Sequence, residues 1–555
     1  MASIYQSGPA VAEHPVLPVS PVEPASAGPG RLLRALTWAV LAAGALLRVF
    51  HLLDNRSLWR DELYLAVSLV RMGFGELAAG PLAYEQKAPL AFLWAERLAV
   101  ELLGKGELAL RLFPLLCGVA ALGLFAPVAR HFLRPWAALL ALALLALAGP
   151  AVYHAVEAKQ YSTELLASVL GLWLYARQRR GRLPLWAWGL WGALLPWFSY
   201  SSVFVLAGVA GAVGLGALRE GGWRAALGYA PAFLPWLASF AAVYLLYLGR
   251  YQDSGWLTVF FEKVYHAYMP LLPTSVGDFE WFFHKTNALV KHPLGQKIRF
   301  TGALSFILVQ LRLLPLLLMG VGVVLMAKNN FKKFSVLAFP VLLTLLASGL
   351  KFYPFHERFV LFLAPMFILF ISYGAQSLWE FLPKHLPVRL VLCLLLLAAP
   401  GWNAIKEALN TENFYKKEAN REALLFINEH YKEGDAVYVY WNMWHAYLYY
   451  KEAYNLKYTA VEGQDLKTNS TSYAEYLGKL STGFGEIKNH NRLWYLYHTH
   501  VRNNIGGFIG QPAWYFEKSL VPGKMLEPSF SSFGENLGPK FNQKETVVSL
   551  FQLAQ

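Results

Sequence analysis

The chain has 555 residues, of which 56% are hydrophobic and only 15% charged, with a formal net charge of +14 and a mean hydropathy of +0.36. Soluble domains carry roughly 25% charged residues, so this composition excludes a water-soluble globular enzyme and points to a bilayer. The cations punctuate apolar runs and form no stripe on a soluble fold, so lipid headgroups and phosphates are the expected partners, and nucleic acid is not. Cys117 and Cys393 both fall inside apolar runs, which indicates neither a disulfide framework nor a cysteine metal site.

Residues 1–30, rich in Pro, Ala and Ser and without a basic start, read as a disordered cytoplasmic tail and not as a cleavable signal. From residue 31 to about 402, apolar runs of about 20 residues recur, each long enough to cross a hydrocarbon core of about 30 Å as a helix. Set against their flanking charges they give about eleven spans. Arg31 and Arg34, Arg130 and Arg134, Arg177 to Arg182, Arg219 and Arg224, Lys328 to Lys333, and Lys384 with Arg389 fall at every second end of the runs. The positive-inside rule then puts the N-terminus in the cytoplasm and the C-terminal region outside. Trp and Tyr cluster near the ends of the runs, as amphipathic rings do at a membrane interface.

Four segments fall on the outer face: about 54–107, 153–164, 250–299 and 351–358. The first holds Arg60-Asp61-Glu62 directly after the first span. Adjacent carboxylates at a membrane boundary repel each other and are costly to desolvate, which fits a base or a metal ligand. A helix N-terminus accounts for them equally well, since Asp61 and Glu62 would face the dipole of a helix beginning at Leu63. Further along, Tyr84-Glu85-Gln86-Lys87-Ala88-Pro89 places a lysine before a proline that opens a helix. Lys87 there could meet a lipid phosphate or simply snorkel. The stretch from Leu77 to Leu103 has helical periodicity without the length to span, and is expected to lie along the interface.

The second outer segment packs His154, Glu157, Lys159, Gln160 and Tyr161 into a short loop that needs none of them, with a local Glu157–Lys159 ion pair as the plainer account. The third carries His266, Asp278, Glu280, His284 and His292 at spacings that fit no metal template. The fourth, Lys351 to Phe359, contains His356, Glu357 and Arg358, with Pro365 deeper in the following span. Arg358 stands where a guanidinium could grip a phosphate or anchor the span.

After Trp402 the sequence becomes polar and mixes the two periodicities. Lys416 to Lys432 predicts an amphipathic helix, Ala436 to Trp441 a strand entered through Gly434-Asp435, and Arg492 to Tyr497 a second strand. Residues 403–555 are therefore expected to form a small soluble α/β domain on a polytopic, mainly α-helical bundle of residues 31–402. Asn469-Ser470-Thr471 matches a glycosylation acceptor, a tripeptide frequent by chance. No internal repeat is visible, which disfavours an inverted-repeat transporter.

Taken together, Asp61-Glu62, Lys87 with Pro89, Glu157 to Tyr161, and Arg358 with Pro365 resemble the membrane glycosyltransferases of the C-type (GT-C) fold, in the branch of protein O-mannosyltransferases and bacterial aminoarabinose transferases. The resemblance implies a bacterial plasma (inner) membrane enzyme that moves a hexosyl or pentosyl group from a polyprenyl-phosphate-linked donor to an extracytoplasmic hydroxyl acceptor, with inversion. It implies catalytic roles for Asp61 and Glu62, and donor-phosphate roles for Lys87, Lys159, Tyr161 and Arg358. Arg60, Glu85, Glu157, Gln160 and His356 are implied as substrate-binding. The family usually shows Lys-Pro-Pro where this chain has Lys-Ala-Pro. Some members place an acid before that lysine as a metal ligand, whereas Gln86 stands here, so a divalent cation is an open question. A transporter of lipid-linked sugars is the main alternative, and a polysaccharide receptor a third.

Overall fold

The computed structural model describes residues 29–250, 255–297, 313–381, 386–504, 511–517 and 519–554. The N-terminal tail up to residue 28, Lys384 and Arg299 lie outside the described residues. Six helices are long and apolar enough to cross a bilayer, from Gly30–Leu53 to Arg389–Leu409, and three shorter apolar helices accompany them. With Tyr161–Arg179 and Leu185–Phe198 they form a bundle of eleven helices among the described residues, as the hydropathy pattern predicts. The chain is a multi-pass membrane protein. Where two helices must approach closely, side chains are absent. Gly322 on Leu313–Asn329 and Gly374 on Ala364–Phe381 face each other so tightly that a Cβ on either would overlap the carbonyl oxygen of Phe370 or Leu318. Such small-residue crossings replace the hydrophobic driving force that lipid cannot supply.

The basic clusters gather at one end of the bundle. Arg130 donates to Thr37 Oγ1 at 3.1 Å, Arg134 pairs with Glu380 at 3.1 Å, and Lys332 pairs with Glu220 at 2.5 Å. Glu107, at the other end of the helix that carries Arg130, meets Arg421 at 3.0 Å and the Tyr450 hydroxyl at 3.2 Å. The C-terminal unit thus caps the end opposite the cationic one.

The long first loop begins with the helix Arg60–Arg71. The stretch from Leu77 to Leu103, expected to be helical, falls in three pieces: the helix Phe74–Ala79, a turn at Ala83–Glu85, and the helix Leu90–Leu103. Pro81 and Pro89 cannot donate to a helical ladder and disfavour helix in the residue before them. Tyr84 and Glu85 take left-handed φ angles of 56° and 50°, which turns the chain between the two prolines.

The C-terminal unit is a five-stranded sheet of β1 (Asp435–Tyr440), β2 (Val461–Gly463), β3 (Arg492–His498), β4 (Gly534–Gln543) and β5 (Thr546–Leu553), in the order β2-β1-β3-β5-β4. β1 is parallel to β2 and β3 and buried along its whole length, as a strand covered on both faces must be. The β4–β5 hairpin turns through Lys544 and Glu545, both at positive φ. Asp435, at the mouth of β1, accepts Arg492 Nε at 2.9 Å, Arg492 Nη2 at 2.6 Å and Trp494 Nε1 at 3.0 Å, which locks β1 to β3.

Two expected boundaries differ. Trp441 opens a helix, Trp441–Tyr454, and does not end the strand. The amphipathic helix expected over Lys416 to Lys432 runs only from Asn420 to His430. Its first residues are instead drawn out into a strap across the bundle by contacts to the first loop. Glu418 accepts the Arg60 N–H at 2.8 Å, and Asn420 Nδ2 donates to Leu58 O at 2.9 Å.

Replacing Gly374 with valine is expected to force the two spans apart and lower stability by about 1–3 kcal/mol. A melting curve of the detergent-solubilised protein measures it, with Gly374→Ala falling between valine and wild type.

Candidate functional site

The loop between the first span and the helix Arg60–Arg71 decides which way each acid points. Trp59 is the N-cap, so Asp61 and Glu62 are the second and third helical residues, about 100° apart around the axis. Glu62 turns inward and is fully buried. Arg111 grips it bidentately, Nε to Oε1 at 2.9 Å and Nη2 to Oε2 at 2.8 Å, and the Ala158 N–H adds 2.9 Å to Oε1. Its Oε2 also lies 3.4 Å from the Trp59 N–H, closing the cap. A carboxylate with all its acceptor capacity committed inside the protein has no lone pair left for a substrate. Glu62 thus anchors the first loop, and Asp61 is the acid of the pair that stays open to a ligand.

Asp61 turns the other way and keeps 19% of its side chain exposed. Arg358 Nη1 approaches its Oδ2 at 2.7 Å and Lys159 Nζ its Oδ1 at 3.8 Å. Burial alone would raise the Asp61 pKa, but Arg358 first and then Lys159 hold it below its ordinary value. Lys159 is itself 3% exposed and donates to Gln86 Oε1 at 2.6 Å. Burial pulls its ammonium below the usual lysine range against the opposing pull of Asp61. The Arg358 guanidinium is flanked by the Tyr161 ring at 5.5 Å and the Trp59 ring at 5.9 Å. Pro365 lies in the first turn of Ala364–Phe381, where a missing N–H costs nothing, just after the 3₁₀ turn Glu357–Leu363 that carries Arg358.

A cavity of about 250 Å³ opens beside this cluster, and Trp59 and Arg358 belong to its wall. Another wall is a hydrogen-bonded chain. Trp59 Nε1 donates to Glu157 Oε1 at 3.0 Å, Glu157 Oε2 meets His154 Nδ1 at 2.5 Å, and His154 Nε2 meets His292 Nε2 at 3.0 Å. Burial would raise Glu157, yet His154 beside it keeps it ionised below the usual glutamate range. His292 is driven well below its ordinary value, chiefly by burial and then by His154. The strap forms the roof. Tyr415 stacks on His51 at 4.0 Å, and Lys417 Nζ rests 3.5 Å over Trp59 and 4.6 Å over Tyr153.

The structure thus gathers Asp61, Lys159, Arg358, Tyr161 and Glu157 around one point. Gln160 stands at the start of the helix Tyr161–Arg179 beside them. Lys87 is exposed on the turn next to Gln86, and Glu85 on that turn accepts Trp256 Nε1 at 2.9 Å. Arg60 is partly buried under the strap, held through its backbone by Glu418. His356 is turned toward the third loop, stacked on Tyr265 at 4.5 Å. The plainer alternative of a local Glu157–Lys159 ion pair is not what forms: Glu157 meets His154 and Lys159 faces Asp61.

Among the described residues no group of three or more His, Cys, Asp and Glu side chains converges as a metal site. The nearest acids do not fit a cation. Asp61 is occupied by Arg358 and Lys159, Glu157 by His154 and Trp59, and Gln86 is neutral. Four residues escape a reading of the sequence: Arg111 is hidden in an apolar span, Lys417 in a stretch with helical periodicity, and Tyr153 and Tyr415 beside them.

No protein-family profile matches the sequence, and no curated protein matches it significantly. Solved structures do match. ArnT from Cupriavidus metallidurans in its apo state aligns with a TM-score of 0.54 at 15% identity, over 93% of this chain and 98% of that one. The chain has the GT-C fold. ArnT bound to undecaprenyl phosphate gives 0.53 at 14% identity, over 95% and 98%. The apo oligosaccharyltransferase of Archaeoglobus fulgidus matches more weakly, at 0.48 and 12% identity over 83% and 69%. The Asp61 cluster therefore lies on the first long loop of a GT-C bundle, at the end capped by the sheet.

Arg111→Ala is expected to strand the Glu62 carboxylate and cost about 3–5 kcal/mol. Replacing both partners with methionine should recover most of that loss in chemical denaturation, because the desolvation cost disappears with the charges.

Proposed function

We propose that this protein transfers a sugar from a polyprenyl-phosphate-linked donor to a hydroxyl group, at the end of the bundle capped by the C-terminal unit. The cationic end faces the cytoplasm by the positive-inside bias, so residues 403–555 and the site lie outside a bacterial plasma membrane. The observation that carries the reading is the Asp61 carboxylate held between Arg358 and Lys159. Two cations converging on one carboxylate are a ready seat for a phosphate, and the undecaprenyl phosphate bound by ArnT, which shares the fold, supports that ligand class. Lys87, on the turn beside Gln86, adds a third positive charge to the approach.

The acceptor oxygen attacks the anomeric carbon from the face opposite the phosphate, the anomeric carbon–oxygen bond breaks, and its electron pair leaves on the lipid phosphate. Asp61 takes the acceptor proton, and the configuration inverts. In the resting site Asp61 is a weak base because Arg358 and Lys159 stabilise its charged form. A donor phosphate competes for the same two cations, frees Asp61 and raises its basicity at the moment a base is needed. Positive charge preorganised against the departing phosphate, here from Arg358 and Lys159, is often the largest catalytic contribution. No observation favours the transporter alternative.

In purified protein with a polyprenyl-phosphate sugar, Asp61→Asn should lower turnover by about 10²–10⁴-fold. It should bind undecaprenyl phosphate at least as tightly as wild type, since the competing carboxylate charge is gone. Arg358→Gln should weaken that binding by about tenfold or more. Wild-type turnover by Asp61→Asn would sink the assignment.

The pH profiles give an independent check. In the free enzyme Arg358 and Lys159 hold the Asp61 carboxyl below the ordinary aspartate value, so it stays ionised well into acid solution. The acid limb of kcat/KM assigned to Asp61 should therefore lie below that value, and the limb of kcat above it, once the phosphate has drawn the cations away. Coincident limbs would contradict the exchange of partners.

A further inference from the structure

We propose that a cleft at the cationic end of the bundle seats the phosphate of an anionic phospholipid, taken from the leaflet that this end faces. The cleft lies between the helices Tyr161–Arg179, Ser202–Leu227 and Phe331–Gly349. Tyr161, at the far end of the first of these helices, stands beside Arg358, so a whole span separates the cleft from the Asp61 cluster. The inference is independent of the transferase reading.

The observation that points to a ligand is Tyr175. It lines the cleft and is only 4% exposed, yet among the described residues its hydroxyl makes no hydrogen bond. A buried hydroxyl left unpaired is costly. This one lies within electrostatic reach of Arg179 and of the Tyr229 hydroxyl, both on the cleft wall. Arg179 likewise has no carboxylate within ion-pair distance among the described residues. Two hydroxyls and a guanidinium thus converge as directed donors without an acceptor.

Charge selects the sign of the ligand. Lys332 and Lys333 stand in the first turn of Phe331–Gly349, which holds no acid. The start of a helix already carries partial positive charge, so cations there oppose the dipole and favour an anion. His131, edge-on to Tyr175 at 5.7 Å, lies within electrostatic reach of Lys333, Arg180 and Arg179. Among the lining residues the one carboxylate is Glu220, which pairs with Lys332 at the rim with 60% of its side chain exposed, where water weakens the pair.

Size and depth select a phospholipid. About 50 Å³ is far below the roughly 300 Å³ that buries a drug-sized molecule, so a phosphate enters and the rest of the ligand stays outside. Ala212, Gly216 and Ala217 give one wall little bulk, which lets that phosphate approach between the helices. Leu218 and Trp223, exposed on the same helix, mark the level where headgroups meet acyl chains. Basic pockets between spans at this level suit anionic headgroups.

The test titrates the full-length protein in detergent with phosphatidylglycerol, with phosphatidylcholine of the same acyl chains, and with glycerol 3-phosphate, and reads binding by native mass spectrometry. Wild type should bind phosphatidylglycerol at least about tenfold more tightly than either of the others. Tyr175→Phe and Arg179→Gln should each weaken it by about tenfold, while Arg358→Gln, at the other end, leaves it within about twofold. Glu220→Gln should tighten it by about two- to fivefold, a gain that misfolding cannot produce. Equal affinity for the two lipids would overturn the proposal. A loss in Arg179→Gln with none in Tyr175→Phe would overturn it too, reducing the cleft to the diffuse attraction of a charged end. Glycerol 3-phosphate binding as tightly as the lipid would give the cleft to a soluble phosphate instead.

Discussion

The buried pair of Glu62 and Arg111 is the constraint on which the site depends. Arg111 holds Glu62 with two bonds and also donates to the backbone carbonyls of Arg56 at 2.6 Å and Ser57 at 3.4 Å. Glu62 in turn accepts the Ala158 N–H. One ion pair therefore ties the turn after the first span, the second span and the loop that carries Glu157 and Lys159. Two charges taken from water repay their desolvation only when every lone pair and proton is used, and here nearly all are. With Glu62 fixed inward, helical geometry leaves Asp61 pointing outward, toward Arg358 and Lys159.

The strap is the second element that the geometry of the site requires. Its residues have helix-forming composition, yet the N–H of Arg60 and the carbonyl of Leu58 take partners from it. Arg421, just beyond it, meets Glu107 at 3.0 Å and the Asn55 carbonyl at 2.8 Å. These contacts join the C-terminal unit to the first loop near Asp61, so the sheet is bound to the site's own scaffold and not merely tethered to the last span. Movement of the sheet unit would carry Lys417 with it.

Much of this was legible in the sequence, for a physical reason. Charged side chains are expensive at a membrane boundary, so Asp61, Lys159 and Arg358 stand out against apolar surroundings, and the alternation of basic clusters puts them at one end. The eleven bundle helices follow from hydropathy, and the parallel strands from β-branched and aromatic runs bounded by Gly434-Asp435. What could not be read were the consequences of contacts distant in sequence. Which of two adjacent acids faces the site depends on Arg111, 49 residues away. The extended conformation at Lys417 depends on residues some 358 positions earlier. The breaks in the interfacial stretch are readable from Pro81 and Pro89, but the left-handed turn at Tyr84 and Glu85 between them is not.

On the proposed reading, in which Arg358 and Lys159 seat the donor phosphate, Asp61 also solves a problem that any such seat in a low-dielectric environment must face. Converging cations repel each other, and desolvating them without a counter-charge costs several kcal/mol each. A site built only of Arg358 and Lys159 would relax apart before a donor arrived. Asp61 holds them in place by standing in for the phosphate, and a donor that displaces it inherits two cations already oriented, so little reorganisation remains for the reaction itself. In that proposal the same carboxylate that stabilises the empty site is then released as the base. In the proposed reaction, preorganisation and activation thus follow from one ion-pair exchange. That economy explains why the acid at this position must be ionised and partly exposed, while its neighbour Glu62 must be neither accessible nor exchangeable.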